Sequence, residues 1–206
     1  MSRQGRYAGR VFINCPFDAR YAPLFHAIVF AILDCGFTPR SALELQDGSQ
    51  ARIEKILNII GNCMFSVHDL SRTTLDEATG LPRFNMPFEL GIFLGAKKFG
   101  DGKHKQKNAL ILDTEQYRYQ AFLSDIAGHD IRAHHDDSDQ VICIIRDWLD
   151  TASNRKTIPS GSVICERYKS FQQDLPTICA DARLNLAELT YGDYLYAAGQ
   201  WLKQTT

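Results

Sequence analysis

The feature that most restricts this chain is its alternation of short β-type runs with amphipathic helical stretches over the first 150 residues. Arg10–Cys15 is a β-type run closed by Pro16. Residues 21–35 carry Phe25, Ile28, Val29 and Ile32 at helical spacing and stop at Gly36. Phe37–Ser41 reads as a brief strand, and Pro39 assigns it to a sheet edge. Asp47-Gly48-Ser49 opens a second helix with the stripe Ile53, Ile56, Leu57 and Ile60. Cys63–His68 is apolar enough to be a strand buried on both faces. Residues 87–98 form a helix with Pro87 near its first position, and Asn108–Asp113 a fourth strand. A short helix near 117–126, a strand near 129–133 and a helix over 138–150 complete the series. Such a series implies a parallel sheet with right-handed crossovers and helices on both faces.

The tail departs from this pattern. A linker over Asn154–Ser162 leads into two helical stretches, 163–180 and 183–203. The expected organisation is an α/β domain over 1–154, with a helical hairpin over 155–206 packed on it. The apolar load of that hairpin, Tyr168, Phe171, Tyr194 and Trp201 among others, is more than two helices can bury between themselves. It therefore packs on the first domain or on another subunit. The expectation is a hairpin on the first domain that contributes to a self-association surface of a homo-oligomer, the alternative being intramolecular packing in a monomer.

Composition excludes several classes. Of 206 residues, 45% are hydrophobic and 23% charged, as in globular proteins and unlike disordered or collagen-like chains. With 23 basic against 24 acidic residues there is no general field for nucleic acid. The local cluster Lys97, Lys98, Lys103, His104, Lys105 and Lys107 reads as a solvated loop after a helix. The six cysteines form no C-x-x-C pair, so reduced thiols are expected. No stretch of about 18 apolar residues is present. The expectation is a cytoplasmic protein with no membrane or nucleic-acid partner.

Open parallel sheets bind ligands beyond the carboxyl ends of their strands. The polar residues there are Asn14, Asp18 and Arg20; Arg40 and Ser41; His68, Asp69, Ser71 and Arg72; and Asp113 and Thr114. No Walker loop, G-x-G-x-x-G turn or G-x-S-x-G elbow accompanies them. Glu89 is the most unusual residue, a lone acid in the apolar helix NMPFELGIFLG. Its bulky neighbours shield it, and Gly91 and Gly95 imply a close packing or binding demand. Asp69 follows a buried strand and would converge with Glu89 on one crevice. Two such carboxylates suit cleavage of a glycosidic bond, one beside the cationic sugar centre and one on a ribose or base. Asp18 and Arg52 are weaker candidates. The run His134-His135-Asp136-Asp137 is read as capping the next helix rather than binding metal. Cys15 has no partner base that would make it a nucleophile.

These residues also carry a resemblance. VFINCPFD (11–18), then CGFTPR (35–40), resembles the opening of bacterial TIR-like domains. Ile56 through Asp69-Leu70-Ser71 and then PFELG (87–91) resembles the core these share with nucleoside 2-deoxyribosyltransferases. The resemblance spans roughly residues 10–150 and implies a flavodoxin-like sheet, order 2-1-3-4-5. It also implies cleavage of an N-glycosidic bond with Glu89 as the essential acid. For the TIR-like branch the substrate is NAD, consumed rather than held as a cofactor. The products are ADP-ribose or a cyclic nucleotide that signals to an effector in anti-phage defence. In that reading Phe17 or Phe88 stacks on a ring, and Asn14, Asp18 and Arg40 hold ribose or phosphate. Alternatives are a nucleoside or nucleotide N-ribosidase, a 2-deoxyribosyltransferase, or a non-catalytic signalling module. RFNMP (83–87) departs from the transferase pattern, which places a Gly-Thr pair and an extra Asp before the Glu.

Overall fold

The computed structural model describes residues 7–44, 48–73, 75, 80–153, 155 and 157–205. Asp47, expected to open the second helix, lies outside them. The described chain divides into two compact units that interleave in sequence. One comprises residues up to Tyr21 with Thr38–Asp137, the other Ala22–Phe37 with the residues from Ser138 onward.

The first unit is built on five strands: β1 (Arg10–Asn14), β2 (Thr38–Ser41), β3 (Phe65–Asp69), β4 (Asn108–Asp113) and β5 (Ile131–Ala133). All pair in parallel, in the order β2-β1-β3-β4-β5. This is the flavodoxin-like order expected above. Pro39 lies on the edge strand β2, where a missing N–H costs no ladder bond on the open side. The central strand β3 is buried along its whole length.

Two helices of this unit follow in sequence, α2 (Arg52–Gly61) and α3 (Asn85–Phe99); the preceding helix, α1 (Ala22–Asp34), belongs to the second unit. The inward face of α2 is turned from the expected stripe. Ile56, Ile59 and Ile60 pack with Cys63 on Phe12 and Phe93, while Ile53 and Leu57 stay exposed. Residue 63 is one turn beyond Ile59 and Ile60, so this phase carries the apolar line straight into the approach to β3. Helix α3 begins two residues before Pro87 and so places it third. That position is tolerated because the first four helical N–H groups have no intrahelical partner. On α3, Met86, Leu90 and Phe93 turn inward.

Lys107 corrects the reading of a solvated basic loop. Its side chain is buried, and Nζ donates to the carbonyls of Ile60 and Cys63, both at 2.6 Å. It sits 4.3 Å above the Phe93 ring. A cation is thus stationed at the carboxyl end of α2, where the helix dipole favours it. Burial pushes its pKa down to about 8.

The second unit contains α1 (Ala22–Asp34), α4 (Ser138–Ser153), α5 (Gly161–Asp181) and α6 (Tyr191–Thr205). Helix α1 is apolar all round, and Ala27–Ile32 are entirely buried, as such a helix requires. Phe30 stacks on Phe171 at 5.2 Å and meets Tyr168 and Trp201. Tyr194 stacks on His26 at 4.2 Å and donates from its hydroxyl to the His26 carbonyl at 3.1 Å. The tail aromatics named above are therefore covered within the chain. Gly36 follows α1 with φ of 79°, and a Cβ there would meet Arg155 Nη1 at 2.8 Å. That guanidinium donates to the Gly36 carbonyl at 2.7 Å and lies 3.8 Å above Phe37. No described helix is long and apolar enough to cross a membrane.

Candidate active site

The carboxyl end of β1, the loop 15–20, the first residue of α2, Arg72 and Leu75 beyond β3, and the start of α3 border a cavity of about 730 Å³. That is the size of an ordinary small-molecule site. Asn14, Phe17, Asp18 and Glu89 line it, as do Arg20, Arg52, Arg72 and Arg83. Among the described residues four guanidiniums and two carboxylates line it, a predominance of positive charge suited to an anionic ligand.

Glu89 is on the inward side of α3 and only 7% exposed. Burial pushes its pKa up to about 7, against the pull of the Arg52 guanidinium. Arg52 occupies the first turn of α2, where the helix dipole disfavours a cation. Gly91 and Gly95 correct an expectation: a Cβ at either would meet nothing within 4 Å. Neither glycine is demanded by close packing.

Asn14 is 3% exposed and fixed by its amide. Nδ2 donates to His68 Nδ1 and to the Met86 carbonyl, each at 2.9 Å. Since Met86 O can only accept, the amide orientation is set, and Asn14 ties β1 to the first turn of α3. Burial, reinforced by Lys107, pushes the His68 pKa down to about 3, so the ring is neutral. Asp18 closes the cavity loop, its Oδ1 accepting from the Tyr21 N–H at 3.0 Å. Phe17, 39% exposed, also lines the cavity.

Three of the expected site residues are not among the cavity-lining residues. Arg40 is engaged by Glu44 four residues on, its Nε donating to both carboxylate oxygens at 2.9 and 2.7 Å. Phe88 points outward and is 58% exposed. Asp69, expected to converge with Glu89 on the crevice, is fully buried. It accepts from the Tyr21 hydroxyl and from the Ser71 N–H at 2.7 Å, and faces His134 Nε2 at 3.0 Å. Burial raises its pKa, but these donors outweigh burial and hold it below the usual range. Its oxygens are spent on the protein.

The cavity arginines were only partly legible. Arg52 was a weaker candidate, and Arg20 and Arg72 stood among the polar residues after β1 and β3. Their position just past a strand end was the available signal. Among the described residues no group of His, Cys, Asp and Glu is placed to hold a metal. Cys15 is buried, and burial together with Asp69, Glu89 and Asp18 raises its pKa well above the usual thiol range, which disfavours a thiolate. Comparison with protein-family models, with curated proteins and with solved structures found no match.

Proposed function

We propose that this chain is an N-glycosidase that consumes NAD, breaking the nicotinamide–ribose bond to give ADP-ribose or a cyclic nucleotide. The observation that carries this reading is a single shielded carboxylate, Glu89, on the wall of a cavity that also presents four arginines. The nicotinamide of NAD already bears positive charge. When the C1′–N bond breaks, the electron pair leaves with nicotinamide and no proton need be donated. What develops is oxocarbenium charge on the ribose, and a fixed carboxylate in a poorly hydrated site stabilises it. Water then attacks C1′ and releases a proton, or a nucleophile of the same adenosine moiety attacks and closes a ring. The arginines are suited to the diphosphate, and Phe17 to a ring face.

The cationic substrate also accounts for the electrostatics of Glu89. Burial makes ionisation of this acid costly, and a positive centre beside it lowers that cost. Excess positive charge favours phosphate-bearing substrates over neutral deoxynucleosides, which sets the transferase alternative behind NAD cleavage. The resemblance to bacterial TIR-like domains adds a signalling role in anti-phage defence and self-association to the same reading. The test is a panel of NAD, nucleoside monophosphates and deoxynucleosides followed by chromatography. Release of nicotinamide from NAD is expected. Base release from deoxynucleosides with NAD left intact would overturn the assignment.

A further inference from the structure

We infer that Asp69 is a positioning residue that fixes the cationic wall of the cavity by clamping three loops at once. This deepens the reading of the cavity as a site for a phosphate-bearing nucleotide and rests on it.

One buried carboxylate joins segments far apart in sequence. The Tyr21 hydroxyl reaches it from the end of loop 15–20, which contributes Phe17, Asp18 and Arg20 to the cavity. The Ser71 N–H reaches it from the segment after β3, one residue before Arg72. His134 reaches it from the end of β5. His134 Nδ1 accepts from the Asp136 N–H at 3.0 Å, which leaves an Nε2–H facing Asp69 Oδ2. The Asp136 carboxylate lies 3.5 Å from Arg72 Nη2. The contacts close a ring: Asp69 to Ser71 and Arg72, across to Asp136, through His134 and back to Asp69.

A second observation concerns the backbone that makes these contacts. His135 and Asp136 both adopt positive φ, 52° and 57°. Two successive non-glycine residues in the left-handed region persist only where their surroundings fix them, and such strain clusters at functional sites. Here it turns the chain so that the Asp136 N–H meets His134 while the Asp136 carboxylate meets Arg72. The ring aims the Arg72 guanidinium, and Asp69 acts on the ligand through it.

The deciding variant is Asp136→Asn. It lies at the exposed end of the ring and leaves the buried carboxylate untouched. Because this ion pair is partly exposed, the expected rise in KM for NAD is about threefold to fivefold, with kcat unchanged. The Kd for ADP, measured by calorimetry as a probe independent of turnover, should rise by the same factor. Asp136→Glu should restore both, and melting should not move. Asp69→Asn should raise the same two constants further if it folds; if it does not, Asp136→Asn still decides. An Asp136→Asn protein with wild-type KM and wild-type ADP affinity would overturn the positioning role and leave NAD cleavage standing. NAD left intact, with ADP bound by the wild type and weakened in the variant, would overturn NAD cleavage and leave the positioning role standing. A wild-type chain that binds no ADP overturns the positioning role as well.

Discussion

Asp69 and Glu89 are both shielded carboxylates of the same unit, yet their acidities are displaced in opposite directions. Asp69 is the more deeply buried, and its pKa is lowered. Glu89 retains slight exposure, and its pKa rises to about 7. The difference lies in the donors. Asp69 meets a hydroxyl, a backbone N–H and an imidazole, whereas among the described residues the pull on Glu89 is that of the Arg52 guanidinium. Burial sets the cost of a charge, and the donors decide whether that cost is met. A carboxylate already satisfied by the protein is a structural part. One left unsatisfied beside a cavity can be satisfied by a ligand.

The comparison breaks most sharply at Glu89. Glu89→Gln keeps the volume and removes the charge, and turnover of NAD should fall about a thousandfold. Melting should stay level or rise, because an uncompensated buried acid has gone. A steady-state assay beside a thermal melt reads both, and full turnover in this variant ends the catalytic assignment.

Next in size is the pH response. If the ionised form of Glu89 acts, kcat/KM for NAD should rise about tenfold per pH unit below its pKa of about 7 and then level off. A falling limb over the same range would instead point to a protonated acid and a neutral leaving base. Stability should run the other way. The folded pKa of Glu89 lies above its ordinary 4.5, so the folded state holds the extra proton between about 4.5 and about 7. Its contribution to stability therefore falls as pH rises through that window. Asp69, displaced below its ordinary 3.8, contributes stability that is present above that value and lost as pH falls through the folded pKa. Denaturant titrations across pH separate the two contributions.

Lys107 sharpens the comparison from the cationic side. It has hydrogen-bond partners, as Asp69 does, yet its pKa is displaced toward the neutral form, as with Glu89. Lys107→Met removes the buried charge but leaves the Ile60 and Cys63 carbonyls without that donor, and should cost about 1–3 kcal/mol in urea unfolding. The smallest effect is expected at Gly91. Open space around its Cβ position means Gly91→Ala should stabilise the helix by about 1 kcal/mol and leave NAD turnover unchanged.

The sheet order and the isolation of Glu89 were legible because both follow from local pattern. Strand–helix alternation dictates parallel pairing, and one acid within an apolar helix stands out in any window. The role of Asp69 was not legible. Its partners Tyr21 and His134 are distant in sequence, and no local pattern shows a carboxylate already occupied. Arg40 offered a nearer clue: Glu44, four residues on, was available to pair with it. The four arginines of the cavity come from separate segments, and only the fold brings them onto one surface. The α2 stripe held at Ile56 and Ile60 and missed at Ile53 and Leu57, because all four keep helical spacing whichever face turns inward.

Helix α1 has a consequence for how the chain is made. It lies between β1 and β2 in sequence, yet it belongs to the unit completed by α4, α5 and α6. At ~5–20 residues per second, translation from the end of α1 to the end of α6 takes roughly 10–30 s. Throughout that interval a helix that is buried all round in the finished protein awaits its partners. Such a chain gains from a ribosome-associated chaperone early in synthesis, and nascent chains arrested before α4 should be the most prone to aggregate.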